Sequence, residues 1–159
     1  MKTYDLADKL VVVTGGSRGI GRHTARAFGE AGARLVITGR DESTLAEAAR
    51  DLGGRCTPIV CDQRDPQSVQ SLAERVATDH GGTDILVANA GGGWGGGTPV
   101  VDLSLEHWQT TIQTNLTGTF LVCKHLLPAM IERRRGDVFL ISSMSGKKGD
   151  PGSAAYAAS

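Results

Sequence analysis

The sequence predicts a single α/β domain built on a doubly wound parallel sheet, and three observations carry that prediction. Five short apolar runs, rich in β-branched residues, have the character of strands buried on both faces. Stretches with apolar residues at helical spacing lie between them, so strand and helix alternate without internal repeat or linker. At the first strand-to-helix junction stands the turn Thr14-Gly15-Gly16-Ser17-Arg18-Gly19-Ile20-Gly21, with glycines at three places that are not interchangeable. At 159 residues the chain, residues 1–159, is one domain by length and can bury a core.

The first strand is Lys9-Leu10-Val11-Val12-Val13. The first helix follows with Ile20, Thr24, Ala27, Phe28 and Ala31 repeating at helical spacing up to Gly32. The turn between them is a dinucleotide-binding element in its expected context: Gly15 permits the tight turn, Gly19 lets backbone approach a pyrophosphate, and Gly21 lets helix and strand pack closely. The N–H groups and positive dipole end at the helix start then face the phosphates. No Gly-Lys-Ser/Thr follows at P-loop spacing. The fold expected is therefore Rossmann-like.

Arg34 to Thr38 is the second strand, and Gly39-Arg40-Asp41 ends it. In a dinucleotide fold this end meets the adenosine ribose, where an acid selects a 2′-hydroxyl and an arginine accommodates a 2′-phosphate. Gly39 and Arg40 remove the acid and supply the base, and Arg18 adds a second positive charge. The pair favours NADP over NAD. Asp41 reads better as the N-cap of the next helix, which turns Leu45, Ala48, Ala49 and Leu52 inward and stops near Gly53-Gly54.

The third strand runs from Arg55 to Cys61. Asp62 and Gln63 follow it where an adenine edge could lie, with capping of the loop as the alternative role for Asp62. Asp65-Pro66 is an N-cap and first-turn proline for a helix with Val69, Leu72, Ala73 and Val76 inward. Asp84 to Ala88 is the fourth strand. It leads into Asn89-Ala90-Gly91 and a glycine run to Gly97 broken only by Trp94, at the carboxyl end of a central strand where open α/β sheets bind ligands.

One apolar stripe, Trp108, Ile112, Leu116, Phe120, Cys123, Leu127 and Met130, marks a long helix from about Leu105 to Arg135. Asn115 interrupts its inward side, and a buried amide without a partner costs about 1–3 kcal/mol, so it needs a partner or a function. Pro128 is expected to kink or end the helix. Arg133-Arg134-Arg135 complements the helix dipole before Gly136 closes it. The fifth strand is Asp137 to Ile141, followed by Ser142-Ser143 and a final segment containing Tyr156.

Composition narrows the function classes. Lys plus Arg and Asp plus Glu number 17 each, so no overall basic field points to nucleic acid or an anionic membrane, and small molecules are the expected partners. Three cysteines without framework spacing suit a reducing cytosol. Cys56 and Cys61, five apart on one strand, point to opposite faces, which argues against a shared metal. The start, Met1 to Asp8, lacks the order of a signal peptide, and no apolar run is long enough to span a bilayer. A cytoplasmic protein is expected.

Taken together, these motifs resemble the short-chain dehydrogenase/reductase family from about Leu6 onward, with a flavour close to 3-oxoacyl carrier-protein reductases. Thr14-Gly15 through Gly19-Ile20-Gly21 resembles the family's TGxxxGIG turn, and Asn89-Ala90-Gly91 its NAG segment. Asn115 with Leu116 and Gly118 matches the helix asparagine region, Ser143 the serine after the fifth strand, and Tyr156 the tyrosine of YxxxK. The resemblance implies hydride transfer between a nicotinamide and a carbonyl or alcohol carbon. Tyr156 would exchange the proton, Ser143 would hydrogen-bond the oxygen, and Asn115 would hold a relay water. It also implies pairing of subunits through the long helix.

The family's lysine belongs four residues after Tyr156, one past Ser159, and two further strands of the family would follow. An ammonium about 4 Å from a phenolate, at an effective dielectric of about 20, favours the ionised form by about 4 kcal/mol. A chain ending at Ser159 is therefore expected to be catalytically weak or inactive, marginally stable and prone to associate through an unpaired fifth strand. The alternative from another class is a non-catalytic nucleotide-binding or interaction protein that keeps part of the fold.

Overall fold

The computed structural model describes residues 6–159. The first five residues of the start read above as leaderless lie outside them. The elements are β1 (Leu10–Val13), α1 (Gly19–Glu30), β2 (Arg34–Gly39), α2 (Glu42–Leu52), β3 (Cys56–Val60), α3 (Pro66–His80), β4 (Ile85–Ala88), α4 (Leu105–Ile112), α5 (Gly118–Glu132), β5 (Asp137–Leu140) and α6 (Ala154–Ala158). A π turn, Gln113–Thr117, joins α4 to α5.

All pairings are parallel in the order β3-β2-β1-β4-β5, with Val12 between Val36 and Leu86 in register. Alternation along each strand divides the core in two. Leu10, Val12, Val36, Ile59 and Leu86 pack under Val69, Leu72 and Val76 of α3 and Leu121, Val122, Leu126 and Met130 of α5. Val11, Val13, Leu35, Ile37 and Val87 pack under Ala25 of α1 and Leu45, Ala48 and Ala49 of α2. Helices thus cover both faces, as the doubly wound reading requires. Cys61 joins the first cluster and Cys56 packs against the second, on opposite sides of the sheet.

The helix ends follow the local chemistry. Asp41 caps α2 by accepting from Thr44 N at 2.8 Å, and Asp65 caps α3 by accepting from Gln67 N at 3.0 Å, with Pro66 opening the helix. The arginine run after α5 does more than offset a dipole. Arg133 donates to Gly81 O and Thr83 O beyond the end of α3, at 2.9 and 2.6 Å, and Arg135 lies 3.7 Å from Asp84.

Two expectations are corrected. In α1 the buried residues are Gly21 and Ala25; Ile20 is exposed, because it sits at the cleft edge one position off the packed face. In the long helix the buried face is Thr111, Thr114, Gly118, Leu121, Val122, Leu126 and Met130, while Trp108, Leu116 and Phe120 are exposed. The small and polar residues face inward because the helix closes tightly there: a Cβ on Gly118 would meet Gln63 Cγ at 2.7 Å. Of the two outcomes expected at Pro128, kinking or ending, the helix does not end there but continues to Glu132. Strand β5 lies at the sheet edge with all four residues exposed, as expected of the fifth strand.

Candidate functional site

Strands β1 and β4 are neighbours whose following connections go to opposite faces of the sheet, so a crevice opens beyond their carboxyl ends. A cavity of about 1060 Å³ occupies it. The candidate site residues line it: Gly15, Ser17, Arg18, Gly19, Ile20, Gly21, Arg40, Asp62, Gln63, Asn89, Ala90, Gly91, Asn115, Ser143 and Tyr156.

The glycines of the turn stand in different surroundings. Gly15 has φ +65°, and a Cβ there would stand 2.9 Å from Ala90 Cα; one on Gly21 would stand 2.3 Å from Gly15 O. Gly19, at φ +53°, faces nothing within 4 Å, so its backbone lies open. Arg18, the N-cap of α1, makes no side-chain cap bond, and the first turn has no acidic residue. The N–H groups at this helix start therefore remain for an anion. Gly16 was missed by the sequence reading: a Cβ there would meet Ile37 at 2.7 Å, a packing constraint visible only across two strands.

Thr14 and Asn89 tie the two strand ends together. Thr14 Oγ1 accepts from the backbone N–H groups of Asn89 and Ala90, both at 3.0 Å, and Asn89 Nδ2 donates to Thr14 O at 2.9 Å. Thr14 is a second residue whose part the sequence did not reveal.

At the β2 end, the carboxylate of Asp41 is committed to α2. Its Oδ1 accepts from Thr44 N, Thr44 Oγ1 and Ser43 Oγ, and these bonds, led by the Thr44 N–H, hold its pKa below the ordinary carboxylate value. Arg18 and Arg40 line the same end of the cavity, and neither guanidinium has a hydrogen bond or ion pair among the described residues. Asp62 takes the capping role. It accepts from Arg64 N at 3.0 Å and from the Arg64 side chain, which foremost lowers its pKa. Gln63, buried, donates through Nε2 to Ala90 O at 2.9 Å and Thr114 O at 2.6 Å, so its amide N–H groups serve the scaffold.

The opposite end gathers Asn115, Ser143 and Tyr156. Asn115 sits in the π turn, a distortion that recurs at functional sites. Its Oδ1 accepts from Gly92 N at 2.9 Å, and its Nδ2 donates to Gly92 O at 2.9 Å and Ser159 Oγ at 2.8 Å. The half-buried amide thus has its partners, with both donors engaged. Ser143 opens a short 3₁₀ turn, accepting from Ser145 N at 3.2 Å. The ring of Tyr156 lies 3.6 Å from where a Gly93 Cβ would be.

The glycine run after β4 is fastened at several points. Trp94 N donates to Thr111 Oγ1 at 3.3 Å and Gly97 N to Gly152 O at 3.0 Å. Among the described residues no group of three or more His, Cys, Asp or Glu is placed to hold a metal, and no helix is long and apolar enough to cross a membrane.

A family described as short chain dehydrogenase matches residues 9–159. The chain is 38% identical to dehydrogenase/reductase SDR family member 7B of Bos taurus, covering all of this chain and 51% of that protein. It is 36% identical to a 3-oxoacyl-[acyl-carrier-protein] reductase of Bos taurus, over 96% of this chain and 63% of that one. The chain thus spans about half to three fifths of the length of these curated relatives. Among solved structures, a metagenomic short-chain oxidoreductase in complex with NADP superposes with a TM-score of 0.91 at 39% identity, over 98% of this chain and 71% of that one.

Proposed function

Because this chain belongs to the short-chain dehydrogenase family, we propose that it forms the cofactor-binding part and the Asn–Ser–Tyr face of an NADP-dependent oxidoreductase acting on a small carbonyl or alcohol substrate. The observation that carries the reading is the joint lining of one crevice by an open glycine turn, two unpaired arginines and the Ser143–Tyr156 pair. Bound NADPH would supply the hydride. Gly19 and the start of α1 hold the pyrophosphate, and Arg18 and Arg40 hold the 2′-phosphate. Asp41 turns its carboxylate oxygen to the N–H and hydroxyl of Thr44 at its own helix start, which leaves Arg18 and Arg40 as the side chains free to meet that phosphate. The structural relative carrying NADP supports the same preference.

At the other end Ser143 hydrogen-bonds the substrate oxygen and Tyr156 gives it the proton in reduction, or takes it in oxidation. Asn115, whose side-chain donors are engaged, acts by holding Gly92 and the π turn in place. A relay water would then rest on main-chain carbonyls rather than on the amide nitrogen. The family's YxxxK lysine would complete the tuning of Tyr156.

The test is NADPH oxidation with a panel of small ketones, with cofactor binding read separately by fluorescence. Turnover that disappears in Tyr156→Phe while NADPH affinity holds supports the assignment. Turnover that survives in Tyr156→Phe overturns it.

A further inference from the structure

Thr111 is fully buried in α4, and its hydroxyl has two bonds. It donates to His107 O at 2.8 Å, the ordinary way a helical threonine satisfies itself. Its oxygen also accepts Trp94 N at 3.3 Å, from the glycine run after β4. One helical turn later Asn115 grips the same run through both main-chain groups of Gly92. Two side chains on one helix face thus hold residues 92 and 94 of an otherwise glycine-built segment. Gly93, between them, is the residue against which the Tyr156 ring rests, 3.6 Å from its absent Cβ.

Glycine-rich backbone has many conformations of similar energy, so a surface made from it is defined only where something fixes it. Asn115 alone fixes one side of Gly93. The Thr111 bond fixes the other, and it also holds Trp94, whose ring lies 3.3 Å from the Cβ position of Gly92 and lines the crevice.

We propose that Thr111 is a positioning residue of the active site: by holding the Trp94 N–H it sets the Gly92–Trp94 segment as a rigid seat for Tyr156 and a fixed aromatic wall for the substrate. The proposal rests on the role given to Tyr156 above. It asks nothing of the cofactor's phosphate end, where Thr111 has no contact.

The experiment compares Thr111→Val, which keeps the shape and removes the hydroxyl, with Thr111→Ser, which keeps the hydroxyl. Loss of one neutral hydrogen bond corresponds to about a fivefold to tenfold effect. Thr111→Val is expected to speed amide exchange at Trp94 by about that factor and to lower kcat similarly, with NADPH affinity unchanged. Thr111→Ser is expected to restore both. Wild-type kcat in Thr111→Val, or a Thr111→Ser variant as impaired as Thr111→Val, overturns the proposal.

Where these 159 residues show no turnover, NADPH binding tests the proposed function separately, and the Tyr156 ring resonances decide this one. They should move in Thr111→Val and return in Thr111→Ser, and resonances that stay put overturn it. Should Thr111→Val not fold, Thr111→Ala replaces it in the same comparison.

Discussion

A Cβ on Gly21 would stand 2.3 Å from the carbonyl oxygen of Gly15, whereas one on Gly19, two residues earlier, would meet nothing within 4 Å. The two glycines are needed for different reasons, and alanine separates them. Gly21→Ala is expected to lower stability by about 1–3 kcal/mol, as overpacking against backbone does. Gly19→Ala carries only the left-handed penalty of about 1–2 kcal/mol, yet fills the space through which a pyrophosphate would approach. Chemical denaturation and NADPH titration together should show affinity falling in Gly19→Ala by more than its stability loss explains.

Arg40 carries the choice of cofactor. Arg40→Asp should reduce the ratio of NADPH to NADH affinity by at least about tenfold, the loss of one charge-assisted contact plus repulsion. Fluorescence titration with the two reduced cofactors checks it. An unchanged ratio would remove Arg40 from the 2′-phosphate site.

Gln63 joins the exit of β4 to the π turn through Ala90 O and Thr114 O. Gln63→Leu should cost about 2 kcal/mol, because two carbonyls lose their donors. Urea unfolding measures this, and NADPH affinity of the folded fraction should change little.

His80 ends α3 with Nε2 buried and without a partner among the described residues. Burial, aided by Arg34, holds its pKa below the ordinary imidazole value. Between that depressed pKa and about 6.5 the unfolded chain binds the proton and the native chain does not. This contribution is therefore full above about pH 6.5 and is lost as pH falls through the native pKa. Urea midpoints taken from pH 7.5 downward should fall in the parent and fall less in His80→Gln.

Much of this was legible because the signals are local. Asp41 and Asp65-Pro66 announce helix starts by chemistry that acts within one turn, and the strands announce themselves by β-branched runs. The long helix was not legible in the same way. Its sequence offers apolar residues on two sides, and burial went to the side with Thr111, Thr114 and Gly118, where small size matters more than hydropathy. The π turn shifts the helical phase between its halves, a change no fixed spacing anticipates. Gly16 and Thr14 act across strands that are distant in sequence. The lining of the crevice was readable because the glycine turn and the Asn115, Ser143 and Tyr156 spacing resemble one family's set, whereas the engagement of Gln63 and Asn115 by the scaffold appears only when the partners are in place.

The sheet also sets the terms on which the chain meets reagents. Cys56 and Cys61 begin and follow β3 and face different layers. Five extended residues place them about 16 Å apart, far beyond the roughly 7 Å a disulfide spans. Oxidation cannot staple them while β3 is intact. Burial pushes the Cys56 thiol up to about 12, so neither it nor the buried Cys61 offers a ready thiolate. Alkylation read separately at each site, apart from the partly exposed Cys123, would then report on breathing, with Cys56 labelled faster when the α1–α2 layer lifts and Cys61 when the α3–α5 layer does.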